Sequence, residues 1–189
     1  MQAQRCSTQK NTSSNTKTHT IMKNKTENEQ AAIMTAIAER AAAISSRLME
    51  EVDTTSLVDA MDKFRPAWGE MVNFIRDTAA EHKVIFSGAQ AEAICDACSK
   101  LLDAAFCSGS VSFHCFDEDG DECTWEDAER AELAADSVSF TLVNKGHYTG
   151  WAENLGSEVM GDIAELCHMP VDRHDRDGQY EWLFIEWAK

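Results

Sequence analysis

The chain lacks any long apolar run. No stretch approaches the roughly 20 apolar residues that a helix needs to cross a bilayer, so the sequence predicts no transmembrane helix. No apolar region follows the first residues either, and we therefore expect no secretory signal. Because disulfides are rare in proteins that are not exported, the seven cysteines are interpreted as reduced thiols of a cytoplasmic protein.

Positive charge is scarce. The chain has 17 Lys and Arg residues against 33 Asp and Glu residues, a net charge of −16. Phosphates and anionic headgroups would be repelled, so the composition argues against direct binding to nucleic acid or to a membrane surface. A basic protein partner would instead be attracted and would associate quickly.

The sequence also lacks the common catalytic and cofactor motifs. It contains no phosphate loop, no dinucleotide fingerprint, no nucleophile elbow and no HExxH pair. We therefore predict no cofactor, and a non-enzymatic function is favoured over an enzymatic one.

Residues 1–26 are polar and contain almost nothing that could be buried, which predicts a disordered tail. Five of the bases and two of the acids lie in residues 1–30, a net of +3. The rest of the chain therefore carries 12 bases and 31 acids, a net of −19. The negative charge belongs to the part that is expected to fold.

Residues 27–108 have the pattern of a helical region. Apolar positions recur every three or four residues over 27–52, over 57–79 and after residue 88, which predicts three helices. Pro66 lies inside the second pattern, where it removes a hydrogen bond, so we expect a kink or two shorter helices there.

The pattern changes to mixed helix and strand over residues 109–189. Strands are predicted at 111–116, 123–125, 137–143 and 180–187, helices at 126–136 and from 151 to the region before Pro170, and a polar loop at 172–179. The predicted fold is α+β: a helical N-terminal half packed with a small, mostly antiparallel sheet that carries two helices. Residues 27–189 could equally form one compact domain.

The most distinctive segment is 117–136, which contains ten acidic residues and only one basic residue. Such a cluster costs stability through self-repulsion, which suggests that its charge is used. A solvated surface without a partner is the competing interpretation. The predicted partner-binding residues are Asp117, Glu118, Asp119, Asp121, Glu122, Glu126, Asp127, Glu129 and Glu132. The partner would be a basic, nucleic-acid-binding protein, and the chain would act as a DNA mimic that inhibits a defence or regulatory protein of the kind that phages and plasmids disarm.

Three alternatives stay open. A small metal-dependent or His/Asp-based enzyme could use His168, His174, Asp175 and Asp177, although Arg173 and Arg176 can neutralise those acids, so that a salt-bridged loop is favoured. Cys95 and Cys98 have metal-ligand spacing but lie on the apolar face of a predicted helix, so buried thiols are favoured over zinc. The third alternative is an oligomerisation module, in which the first helix would form a homodimer.

Overall fold

The computed structural model describes the chain in ten ranges. They are residues 27–53, 56–86, 89–107, 109–116, 119, 121–124, 135–142, 150–168, 174–176 and 179–181. The predicted tail at 1–26 lies outside them. So do most of the acidic segment and the part of the last predicted strand that follows residue 181.

The described residues are mostly helical, with a few short strands. The helices are α1 (Glu27–Glu51), α2 (Leu57–His82), α3 (Ala89–Phe106) and α4 (Gly150–Cys167). The strands are β1 (Gly109–Phe116), β2 (Glu122–Cys123), β3 (Ala135–Leu142), β4 (His174–Arg176) and β5 (Gln179–Glu181). None of the helices within these ranges has a stretch that is long and apolar enough to cross a bilayer.

Helix α1 confirms the helix predicted over 27–52. Its side chains at helical spacing are all buried, and they are Ile33, Ile37, Ala41, Ile44 and Leu48. Such a stripe places one side of the helix against the core and leaves the other in water.

Helix α2 is continuous through Pro66, so the predicted division into two shorter helices is wrong. Pro66 cannot donate to the carbonyl of Asp62, but both residues lie on the exposed side of the helix, where water can reach that carbonyl. The helix begins at an N-cap, Ser56, whose hydroxyl accepts from the amide of Asp59. It ends at Lys83, which has a left-handed conformation with φ of 52°.

Short connections fix the directions of the first three helices. Five residues join α1 to α2 and six join α2 to α3, and helices joined by so few residues pack as antiparallel neighbours. Helices α1 and α3 therefore run in the same direction, with their N-termini at one end of the molecule. The predicted burial of Ile94, Cys95, Cys98, Leu101 and Leu102 on α3 is confirmed.

Three strands form an antiparallel sheet in the order β2-β1-β3. Strand β3 pairs along the whole of β1, from Gly109 opposite Leu142 to Cys115 opposite Ala135. Strand β2 pairs only with the last two residues of β1. On the inner face Val111, Phe140 and Leu142 are buried in the same core as the helices.

Two predicted boundaries in the second half are wrong. Residues 135 and 136, predicted as the end of a helix, begin strand β3. Within the predicted loop 172–179, His174–Arg176 pairs with Gln179–Glu181 as a separate two-stranded antiparallel hairpin. Tyr180 and Glu181 of this hairpin agree with the start of the strand predicted at 180–187. The residues of β4 are polar, so they give no alternating apolar pattern from which a strand could be predicted. The rest of the helix predicted over 126–136 lies outside the described residues.

Candidate functional site

Three of the predicted partner-binding residues are described, and all three are exposed. Asp119 lies in the turn after β1, Asp121 precedes β2 and Glu122 begins it. The predicted partner-binding residues outside the described ranges are Asp117, Glu118, Glu126, Asp127, Glu129 and Glu132. The tip of the β1–β2 hairpin therefore presents carboxylates to solvent, as the sequence predicts.

Glu122 also has a partner within the fold. Its Oε1 atom lies 2.7 Å from Nδ1 of His114 on β1. Because Phe116 pairs directly with Glu122, His114 occupies the diagonal position on the same face of the sheet, within reach of a long side chain. Sequence proximity alone does not indicate this pair. The register of the hairpin is the signal that could have revealed the pair.

A second group of carboxylates follows one face of α3. Glu92, Asp96 and Asp103 are exposed, and their spacing places them in line along the helix with Ser99 between them. These residues are not among the predicted partner-binding residues, because that prediction was based on the densest run of acids. In the sequence they are separated by apolar positions that face the core.

Two contacts fix how α3 lies against β1. The Ser99 hydroxyl accepts from the amide of Val111 at 2.8 Å and lies 3.1 Å from the carbonyl oxygen of the same residue. Asp103 accepts from the amide of Gly109 at 3.1 Å. Asp103 contacts Gly109 at the start of β1, whereas Ser99, one turn earlier in α3, contacts Val111, two residues further along β1. The two elements are therefore antiparallel.

This arrangement brings the two groups of carboxylates together. Glu92 is seven residues before Ser99, about 10 Å along the helix. His114 is three residues after Val111, which is also about 10 Å along β1. The hairpin tip follows directly, at the N-terminal end of α3. We name Glu92, Asp96, Asp103, Asp119, Asp121 and Glu122 the acidic strip.

The arginines of the described helices do not balance this charge at the surface, because each is paired with a glutamate. Arg40 and Arg47 both contact Glu70, at 2.7 and 2.5 Å. The other two pairs join α2 to α4 and are Arg65 with Glu158 at 2.9 Å and Arg76 with Glu165 at 3.0 Å. Lys100 is the base nearest to the strip along α3, four residues after Asp96.

The core thiols confirm the buried positions predicted for Cys95 and Cys98. Both are free and almost inaccessible, and so is Cys167 at the end of α4. Burial raises the pKa of the Cys95 and Cys98 thiols well above the usual range and that of Cys167 to about 12. The pKa of Cys95 is raised chiefly by burial and, to a smaller extent, by Cys167. Such thiols are poor nucleophiles and poor metal ligands.

The alternative metal site is not assembled among the described residues. His168 is exposed and left-handed, with φ of 53°, and its amide donates to the carbonyl of Glu165. The backbone of His174 and Asp175 lies in β4, and Asp177 is outside the described ranges. Within those ranges no three His, Cys, Asp or Glu side chains are grouped so that they could hold a metal ion.

An open groove of about 590 Å³ lies between α1 and α2, and no sequence pattern predicted it. Its lining includes Arg40, Glu70, Phe74 and Asp77. Arg40 is already engaged there, because its guanidinium lies over the Phe74 ring at 5.6 Å and bonds to Glu70. Few polar groups in the groove therefore remain available to bind a ligand.

The chain was compared with protein-family models, with curated proteins and with solved structures, and no match was found in any of the three.

Proposed function

We propose that the protein is a non-enzymatic, cytoplasmic binding protein whose acidic strip engages a basic, nucleic-acid-binding protein and inhibits it as a DNA mimic. The single observation that supports the proposal is the strip itself. Carboxylates from α3 and from the hairpin tip follow one another along one side of the sheet, whereas the arginines of the helices are engaged in ion pairs elsewhere.

The amount of charge supports the same function. Residues 31–189 carry a net of −19, and duplex DNA has one charge per about 1.7 Å of axis, so the folded part has the charge of roughly ten base pairs. A partner that binds phosphates through Lys and Arg would meet carboxylates in their place. Complementary charge of this kind raises the rate of association and makes affinity fall with salt.

The fold that we propose for this function is the complete α+β arrangement. In it the β2-β1-β3 sheet and the β4–β5 hairpin belong to one small, mostly antiparallel sheet that carries α4 and a second helix over most of 126–136. That second helix would extend the acidic strip with Glu126, Asp127, Glu129 and Glu132.

The experiment is a pair of charge-reversed variants with equal net charge. One carries Lys at Glu92, Asp96, Asp119 and Asp121, and the control carries Lys at Glu39, Glu50, Asp62 and Asp77, which are exposed on α1 and α2. Each protein is immobilised and exposed to cell lysate at low salt, with and without excess duplex DNA.

We expect the unmodified protein and the control to retain nucleic-acid-binding proteins, which free duplex DNA or about 0.5 M salt releases. The strip variant should retain none of them. Equal retention by the strip variant and the control would show that only net charge matters, and no retention by the unmodified protein would contradict the function outright.

A further inference from the structure

Helices α2 and α4 meet along a row of polar side chains rather than an apolar seam. Trp68 donates its indole N–H to Asp162 Oδ2 at 2.8 Å. An ion pair lies on each side of this bond, Arg65 with Glu158 and Arg76 with Glu165. Because the partners advance together along both helices, α2 and α4 run in the same direction at this contact.

The row has an excess of negative charge. Glu158, Asp162 and Glu165 lie on successive turns of α4 and, within the part of the chain that the structure describes, face two guanidiniums. The remaining carboxylate, Asp162, is half-buried, and its partner is the neutral indole of Trp68, which is 4% exposed. An ionised carboxylate in such a position loses hydration without gaining an opposite charge.

Several groups among the described residues influence Asp162. Burial is the largest influence and raises the pKa of its carboxyl, and the charges of Glu165 and Glu158 act in the same direction. The indole bond and Arg76 oppose them but are weaker in sum. Helix α3 contributes the Cys98 thiol, whose own pKa is raised by the charge of Asp162.

We propose that α4 is a proton-controlled element, which packs most firmly on α2 and α3 when Asp162 carries a proton and opens more often when Asp162 is ionised. When α4 opens, Asp162 is hydrated and takes its ordinary pKa of about 3.9. The stabilisation by the proton is therefore complete below that pH, and it is lost as the pH rises through the higher pKa of the packed state. This control is independent of the proposed partner. Opening would expose the thiols that α4 covers.

The test measures hydrogen exchange of α4 amides at about pH 4.5 and 7.5 and converts the rates to protection factors, which removes the intrinsic effect of pH. The variant is Asp162→Asn, which keeps an oxygen acceptor for Trp68 but cannot ionise. The matched control is Asp96→Asn, the same change at an exposed position on α3.

We expect the protection of α4, relative to that of α1, to fall between the two pH values in the unmodified protein and in the control. It should stay higher at pH 7.5 in Asp162→Asn. Over the whole titration the fall is tenfold for each unit by which the packed pKa exceeds that of the open state, and the interval from about pH 4.5 to 7.5 contains the part that lies above pH 4.5. Glu158 and Glu165 are unchanged in all three proteins.

An equal fall in all three proteins would overturn the proposal. So would loss of α4 protection in Asp162→Asn at both pH values, because the carboxylate would then hold the helix. A second measurement is independent of opening: the indole N–H resonance of Trp68, assigned with Trp68→Phe, should titrate with a midpoint above 3.9 and should not titrate in Asp162→Asn. A midpoint at or below 3.9 would also contradict the proposal.

Discussion

Gly109 lies close to α3 at the start of β1. A Cβ atom placed there would lie 2.8 Å from Cβ of Leu102 and 3.0 Å from Cδ1 of Leu142. The Leu102 atom is next to the helix backbone and cannot rotate away. The absence of a side chain at Gly109 is therefore what allows the first strand to begin directly beside the helix that precedes it.

We expect Gly109→Ala to lower the free energy of unfolding by about 1–3 kcal/mol, the usual range for an overpacked core position. The matched control is Gly161→Ala in α4, where the residue is exposed and a Cβ atom would meet nothing within 4 Å. That change should raise stability by up to about 1 kcal/mol, because alanine favours a helix. Urea unfolding of both variants measures the two effects, and opposite signs are required.

At the scale of elements, Glu70 joins the first two helices. It accepts from two arginines of α1 while it lies on α2. The hydrogen bond from Arg47 is the main reason that the pKa of Glu70 is lowered, and the charges of Arg47 and Arg40 add to it. A carboxylate shared by two guanidiniums holds α1 and α2 in one axial position.

Glu70→Gln should cost about 1 kcal/mol at pH 7, since the exchange removes the charge but leaves the shape. A lowered pKa means that this stabilisation is present above the unfolded value of about 4.3 and disappears as the pH falls through the folded value. The difference between the two proteins should therefore shrink in urea titrations from pH 7 towards pH 3. A constant difference would show that charge contributes nothing, and Glu39→Gln, at an exposed site on α1, controls for loss of an acid alone.

Helical periodicity predicted α1, α2, α3 and α4 because each buries one regular stripe of apolar side chains. Alternation predicted β1 and β3 for the same reason. The sequence of β4 is polar and has no such pattern, so this strand was not predicted. The effect of Pro66 could not be predicted either. The stability that a proline removes from a helix depends on whether the carbonyl that loses its hydrogen bond is in contact with water, and the sequence does not show this.

The candidate site was predictable in part. The acids of the hairpin tip are contiguous in sequence and needed no fold to be noticed. Glu92, Asp96 and Asp103 join them only because Ser99 and Asp103 fix α3 against β1, a register that depends on two hydrogen bonds. The pair of His114 with Glu122 likewise follows from strand register and not from composition.

At the scale of the whole molecule, the excess of carboxylates means that repulsion opposes folding. Ions shorten the range of this repulsion from about 30 Å at 0.01 M salt to a few Å above 0.5 M. Exposed ion pairs such as Arg65 with Glu158 weaken under the same conditions, but such pairs contribute little to stability.

The melting temperature at pH 7 should therefore rise by a few degrees when sodium chloride is increased from about 0.01 to 0.5 M, as scanning calorimetry or circular dichroism can measure. Tetramethylammonium chloride at equal ionic strength should act alike, because screening does not depend on the identity of the cation. A fall in melting temperature with either salt would mean that the arginine–glutamate pairs outweigh the repulsion.

The hydroxyl of Ser99 has a consequence for self-assembly. Strand β2 covers only the last two residues of β1, and in a bare sheet the main-chain groups of Val111 would serve as a template for a strand of another copy. The Ser99 hydroxyl accepts from the amide of Val111 at 2.8 Å, so a neighbouring chain finds no free donor there. One small side chain on a helix thus removes a donor to which a strand of another copy could pair.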